Sequence, residues 1–123
     1  MANEITISAG LSTTIGGTTI SSNRSKILDI TGNEALSALD SVGFASDQAI
    51  PLSSLDNVGQ LLIENLDASN FVQVSSATGG SFAASVFMKV RPGCCALIQP
   101  NTATLYIKAD TAACAVKYTA VEV

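Results

Sequence analysis

Apolar and polar residues alternate along several short segments of this chain, most clearly from residue 60 onward. Leu61, Ile63, Val72 and Val74 share one face of two consecutive runs, with Glu64 and Gln73 on the other. Asp67-Ala-Ser-Asn70 between them has turn chemistry, so the runs are expected to pair as a hairpin, Glu64 opposite Gln73 and Ile63 opposite Val74. Asn65 breaks the apolar face and belongs near the mouth of that hairpin. Val86, Met88 and Val90 then alternate with Lys89 and Arg91, and Pro92-Gly93 turns the chain into a run that points Cys95 and Leu97 inward. The last two runs flank residues 110–113, pairing Ile107 with Val116 and Leu105 with Tyr118, while Tyr106, Lys108 and Lys117 share the opposite face. The pattern therefore points Ile63, Val74, Leu97, Ile107 and Val116 inward, and Glu64, Gln73, Lys89, Lys108 and Lys117 outward. Consecutive short strands with consistent faces predict an all-β fold, an antiparallel β-sandwich or jelly-roll-like domain.

The first half is less regular. Residues 1–31 are rich in Ser, Thr and Ile: residues 4–8 alternate, extended chain resumes after Gly16-Gly17, and residues 25–31 read as another strand. This segment forms either the first strands of the domain or an extended N-terminal arm that pairs with a neighbour. Residues 32–123 make the sandwich domain, and the whole is most simply one structural domain. Residues 32–57 read as an irregular connection. Leu36 and Leu39 are spaced for a helical turn over residues 33–40, and Gly43, Pro51 and Asp56-Asn57 stop anything longer. So long a connection is expected to lie over the sandwich or reach a neighbouring subunit.

Composition narrows the function. In 123 residues, 47% are hydrophobic and only 13% charged, so the chain is expected to fold, with Phe44, Phe71, Phe82 and Phe87 as the large pieces of an aliphatic core. A surface of hydroxyls and small residues suits a subunit covered by partners. The net charge is −4 and the basic residues are scattered, so no nucleic-acid partner is expected. Residues 68–88, the longest uncharged stretch near the middle, are interrupted by Asn70, Gln73 and Gly79-Gly80, so no membrane span is expected. The first residues lack the basic and apolar regions of a signal peptide, which suggests folding in a cytoplasm.

No catalytic, cofactor-binding or metal site is expected. The sequence has no histidine, which removes the commonest general base and metal ligand. Cys94, Cys95 and Cys114 are expected to be free, small and buried; reactivity at Cys94 or Cys95 requires a cation such as Arg91 nearby. Asp40, Asp47 and Asp56 lie where carboxylates usually cap turns, and the Asp67–Asn70 and residue 110–113 oxygens have the same ordinary use. Residues 14–19 and 77–81 are glycine-containing turns without a P-loop lysine.

One resemblance adds a function. Leu61-Leu-Ile-Glu-Asn-Leu-Asp-Ala-Ser-Asn-Phe-Val-Gln-Val74 resembles the apolar strand, turn and Asn-Phe-Val run of small structural proteins of tailed bacteriophages. It continues through Met88-Lys-Val-Arg-Pro-Gly-Cys-Cys-Ala-Leu-Ile98, Thr104-Leu-Tyr-Ile-Lys-Ala-Asp110 and the closing strand from Val116, covering about half the chain. Cys94-Cys95 stand where such proteins usually start the strand with glycine and a polar residue. The resemblance implies a non-enzymatic virion component, a capsid decoration (cement) protein on the capsid surface. It also implies that the major capsid protein is the partner, that the oligomer is a trimer, and that assembly occurs in the host cytoplasm. Residues 2–20 and 32–57 are then expected to carry much of the interface. A tail, neck or fibre subunit is the first alternative. A surface carbohydrate-binding module is the second, disfavoured because Tyr106 and Tyr118 are the chain's only tyrosines and it has no tryptophan.

Overall fold

The computed structural model describes residues 3–122 apart from Thr31, Asn33 and Ala103, and of Asn3 the backbone alone. Met1, Ala2, Thr31, Asn33 and Val123, which enter the expectations for the arm, the helical turn and the closing strand, lie outside the described residues. The chain divides into two compact units, residues 1–33 and 34–123.

The first unit is one long antiparallel hairpin, β1 (Asn3–Ile15) with β2 (Thr18–Ile30). Its turn is Gly16-Gly17, with φ of 59° and 83°. Positive φ at both central residues is the two-residue turn whose twist matches the flanking strands, and glycine adopts it without strain. β-Branched Ile and Thr fill the strands, where extended backbone suits them.

The second unit is an antiparallel β-sandwich. Its strands are β3 (Ala35–Val42), β4 (Gln48–Ala49), β5 (Val58–Asn65), β6 (Val72–Ser75), β7 (Val86–Val90), β8 (Cys95–Ile98), β9 (Tyr106–Ala109) and β10 (Cys114–Glu122). They form two four-stranded sheets in the orders β3-β10-β5-β8 and β4-β9-β6-β7. Every pairing is antiparallel. Of the links from β3 to β10, only β6–β7 joins strands of one sheet; the others cross between sheets. Ile63 and Val116 from one sheet meet Val74 and Ile107 from the other in a single core, all with no exposure. Each such aliphatic contributes roughly 1.5–3 kcal/mol by leaving water.

The sandwich is therefore as expected, but its pairing is not. None of the three expected hairpins forms. Residues 66–71 carry the chain from β5 in one sheet to β6 in the other, so Ile63 lies opposite Tyr118 and Ala96 rather than Val74. Pro92-Gly93 and residues 110–113 are likewise corners between sheets. Ile107 pairs with Val74 and Gln48, and Val116 with Asn65 and Asp40. Alternation had identified inner faces, and sheet-to-sheet corners use the same turn residues as hairpins.

Two further corrections follow from β8. Ala96 and Ile98 pack on the core, so Leu97 and Cys95 point outward, one residue out of phase with the expectation. Lys117 is outward as expected but lies on the opposite sheet from Tyr106 and Lys108. Over the described part of residues 33–40 there is no helical turn: Ala35 to Asp40 belong to β3, with Leu36 and Ala38 toward the core and Leu39 outward. Ile50, Leu52 and Leu55 in the β4–β5 connection are buried, so that loop fills its own domain's core. Of the four phenylalanines only Phe82 is buried; Phe44 and Phe87 are exposed.

Candidate interaction surfaces

The hairpin register sorts its residues into two unlike faces. Directly opposed residues share a face, so Ile5 joins Leu28, Ile7 joins Lys26, Ala9 joins Arg24, Leu11 joins Ser22, and Ile15 joins Thr18. The other face carries Ser, Thr and Asn with Glu4 opposite Asp29, and Ile27 as its one large apolar residue. Hydroxyls bridge the strands there, Ser8 Oγ to Ser25 Oγ at 3.2 Å and Thr14 Oγ1 to Thr19 Oγ1 at 3.0 Å. On the apolar face the residues nearer the turn are open to solvent: Leu11 is 73% exposed, Ile15 71% and Ile20 60%. A two-stranded hairpin is at best marginally stable in water on its own, and an uncovered aliphatic face marks a surface built to be covered.

A second uncovered apolar surface lies on the outer face of the β3-β10-β5-β8 sheet. Leu39, Lys117, Glu64 and Cys95 form one cross-strand row, and Ser37, Thr119, Leu62 and Leu97 the next. Leu66 follows directly after β5, where its N–H donates to the Ala115 carbonyl at 2.9 Å. Leu39 is 70% exposed, Leu66 54% and Leu97 37%. The outer face of the other sheet differs. It carries Lys89 and Lys108 beside Gln73 and Tyr106, and Lys89 Nζ stands 4.1 Å from the Phe71 ring centroid.

The corner at one end of the sandwich is held by Asn65 and Asp67. Buried Asn65 donates from Nδ2 to the carbonyls of Asn70 (2.8 Å) and Val90 (3.1 Å), and its Oδ1 accepts from Asp67 N–H (3.0 Å). Asp67 Oδ1 accepts from the N–H groups of Ser69 (2.8 Å) and Asn70 (2.6 Å), and Gly93 N–H donates to Asp67 O. The backbone donors of Asn70 and then Ser69 hold the Asp67 carboxyl below the usual aspartate range. Asn65 thus lies at a corner between sheets, with a job the sequence did not disclose. Gly93 has φ 69°, the left-handed conformation this corner requires.

The side chains of Asp40 and Asp47 are also engaged in the fold. Asp40 accepts from Ser41 N–H and Gln48 Nε2, and Gln48 Oε1 accepts from Gly43 N–H. Asp47 accepts from the Thr78 hydroxyl and from Gly79 N–H (3.1 Å), which tethers residues 78–79 to the β3–β4 connection. The Thr78 hydroxyl is the main reason that the Asp47 carboxyl lies below its ordinary range. Asp56 donates its own N–H to Glu122 Oε1. Cys94, Cys95 and Cys114 are free, but only Cys114 is buried; the other two are exposed, contrary to expectation. Burial, and then the charges of Asp67 and Asp110, push the Cys114 thiol upward. Among the described residues, no group of three His, Cys, Asp or Glu stands close enough to hold a metal ion, and no helix is long and apolar enough to cross a membrane.

The expectation of an interface in residues 2–20 falls on the hairpin, yet half of the amphipathic surface comes from β2. The available signal was Gly16-Gly17, which sets Ile5, Ile7, Leu11 and Ile15 against Ile20 and Leu28 across one turn. Among known proteins, no family model, no curated protein and no solved structure matches this chain.

Proposed function

We propose that this chain is a non-enzymatic structural protein of a bacteriophage virion, a capsid decoration protein that binds and stabilises the assembled major capsid shell. The observation that carries the reading is the hairpin with its uncovered aliphatic face, joined to a small sandwich in which Asp40, Asp47 and Asp67 are engaged by nearby hydrogen-bond donors. Such a chain offers contact surface and little chemistry. The strand-order pattern adds support: β3 pairs with β10, β4 with β9, β5 with β8 and β6 with β7, the nested pairing of a jelly roll. The resemblance of residues 61–74 and 88–98 to small tailed-phage structural proteins supplies the virion.

The mechanism is mass action. A subunit whose contacts exist only on the assembled, expanded shell stabilises that state by RT ln(1 + [L]/Kd), about 2.7 kcal/mol per site at a hundredfold excess over Kd. Unpaired backbone amides along the hairpin edges supply contact area, and repeated copies add avidity. Co-sedimentation of the full chain with expanded and unexpanded shells tests this. Saturable binding to expanded shells, with a raised shell melting temperature, is expected. Equal binding to both forms, or binding to neither, overturns the reading.

A further inference from the structure

Two aliphatic surfaces of this chain lie open, and their charges differ. The hairpin face holds Arg24 and Lys26 with no carboxylate, because Glu4 and Asp29 lie on its other face. Residues 34–123 carry eight carboxylates against four cations, while residues 1–33 carry two of each. We infer that the apolar, cationic face of the β1–β2 hairpin of one copy seats on the leucine-bearing outer face of the β3-β10-β5-β8 sheet of a second copy, with Glu64 meeting Arg24 or Lys26.

Other self-contacts are less favourable. Ala9 and Arg24 stand at the middle of the hairpin register. A two-fold face-to-face pair of hairpins therefore brings the two Arg24 side chains together, and like charges juxtaposed in an interface cost several kcal/mol. The outer face of the β4-β9-β6-β7 sheet presents Lys89 and Lys108, which repel the same cations. The leucine face instead offers Leu39, Leu62, Leu66 and Leu97 around Glu64, whose direct cross-strand partner is Lys117, so this face is neutral where the other sheet's outer face is cationic.

Dimensions bound the strength. At about 3.4 Å per residue the hairpin is roughly 44 Å long, and an eight-residue strand roughly 27 Å, so one seat covers about 300 Å² on each side. In a closed assembly each copy gives one hairpin and receives one. When two copies exchange hairpins, the pair shares both seats, which together bury about 1,200 Å², the lower edge of specific interfaces. A contact at this lower edge is expected to be reversible and concentration-dependent.

The test uses the isolated full chain without shells, so its failure is separable from failure of the capsid reading. Sedimentation velocity from about 1 to 200 µM is expected to show concentration-dependent association into a closed oligomer. Arg24→Glu with Lys26→Glu, and separately Glu64→Lys, are each expected to weaken association about tenfold or more. The combined triple substitution is expected to recover most of it. Leu39→Ser weakens association without touching a charge, while Lys89→Ser on the other sheet leaves it unchanged; circular dichroism checks that each variant folds. A chain that stays monomeric throughout, association that Glu64→Lys does not weaken, or charge reversals that fail to rescue one another overturns the inference.

Discussion

Asn65→Ala is the substitution with the largest structural consequence at the corner of the sandwich. The side chain is buried and makes hydrogen bonds to Asn70 O, Val90 O and Asp67 N, joining the β5–β6 corner to the end of β7. Alanine removes all three at once. The Val90 contact is the fully buried one, and a buried backbone carbonyl left without a partner costs about 1–3 kcal/mol. The Asn70 and Asp67 contacts are part-buried and within reach of water, so each is assigned about 0.5–1 kcal/mol. The loss is then about 3 kcal/mol. For a domain of this size 1 kcal/mol shifts Tm by about 4–8 °C, so the fall is roughly 12–24 °C. Thermal and urea unfolding followed by tyrosine fluorescence and circular dichroism measure it. Asn65→Asp separates donor from acceptor, since a carboxylate there faces the Asn70 and Val90 carbonyls. Its folded-state pKa is raised, so ionisation favours unfolding at neutral pH and stability returns as pH falls. A stability within about 1 kcal/mol of the parent for Asn65→Ala refutes the assignment of this corner to Asn65.

Two more outcomes follow from single groups. The Asp67 carboxyl is depressed by the N–H groups of Asn70 and Ser69, so its stabilising contribution is present above the unfolded aspartate value of about 3.9 and is lost as pH falls through the lower folded value. Asp67→Asn should flatten the acid side of the stability profile below about pH 4 in urea titrations; an unchanged slope contradicts the assignment. Tyr118 buries its ring in the core while its hydroxyl finds no hydrogen-bond partner among the described residues, and burial, helped by the Asp40 charge, pushes that phenol well above its ordinary range. Tyr118→Phe removes a polar group that folding leaves unpaired, so unfolding free energy should stay level or rise by up to about 1 kcal/mol. A clear loss means that the hydroxyl has a partner.

How much of this was legible in the sequence depends on which relation is asked for. Two-residue alternation reports which face a side chain takes, and it identified Ile63, Val74, Ile107 and Val116 as core and Lys89 and Glu64 as outward. It does not report which strand lies alongside. Asp67–Asn70, Pro92-Gly93 and residues 110–113 are turn signals whether the chain returns about 4.8 Å away within a sheet or crosses about 10 Å to the facing one. Phase is equally fragile across such a corner, and anchoring β8 to an expected hairpin placed Leu97 inside when Ala96 and Ile98 take that place. β3 misled for a different reason. Leu36 and Leu39 fit a helical spacing, but their strand neighbours are Ala120 and Lys117, one buried and one exposed, so the two leucines serve opposite faces. The hairpin surface needed register as well as alternation, because β1 supplies Ile5, Ile7, Leu11 and Ile15 while β2 supplies Ile20 and Leu28 together with Arg24 and Lys26. Only their pairing across Gly16-Gly17 puts both on one face.

The central claim is that this sandwich and its hairpin serve as contact surface on a virion shell. Single-particle cryo-electron microscopy of assembled particles containing the chain tests it most directly. The account predicts sandwich-sized density on the outside of the expanded shell, with the apolar face of each hairpin covered. Density confined to the tail or neck, or particles that carry the chain nowhere, contradicts it.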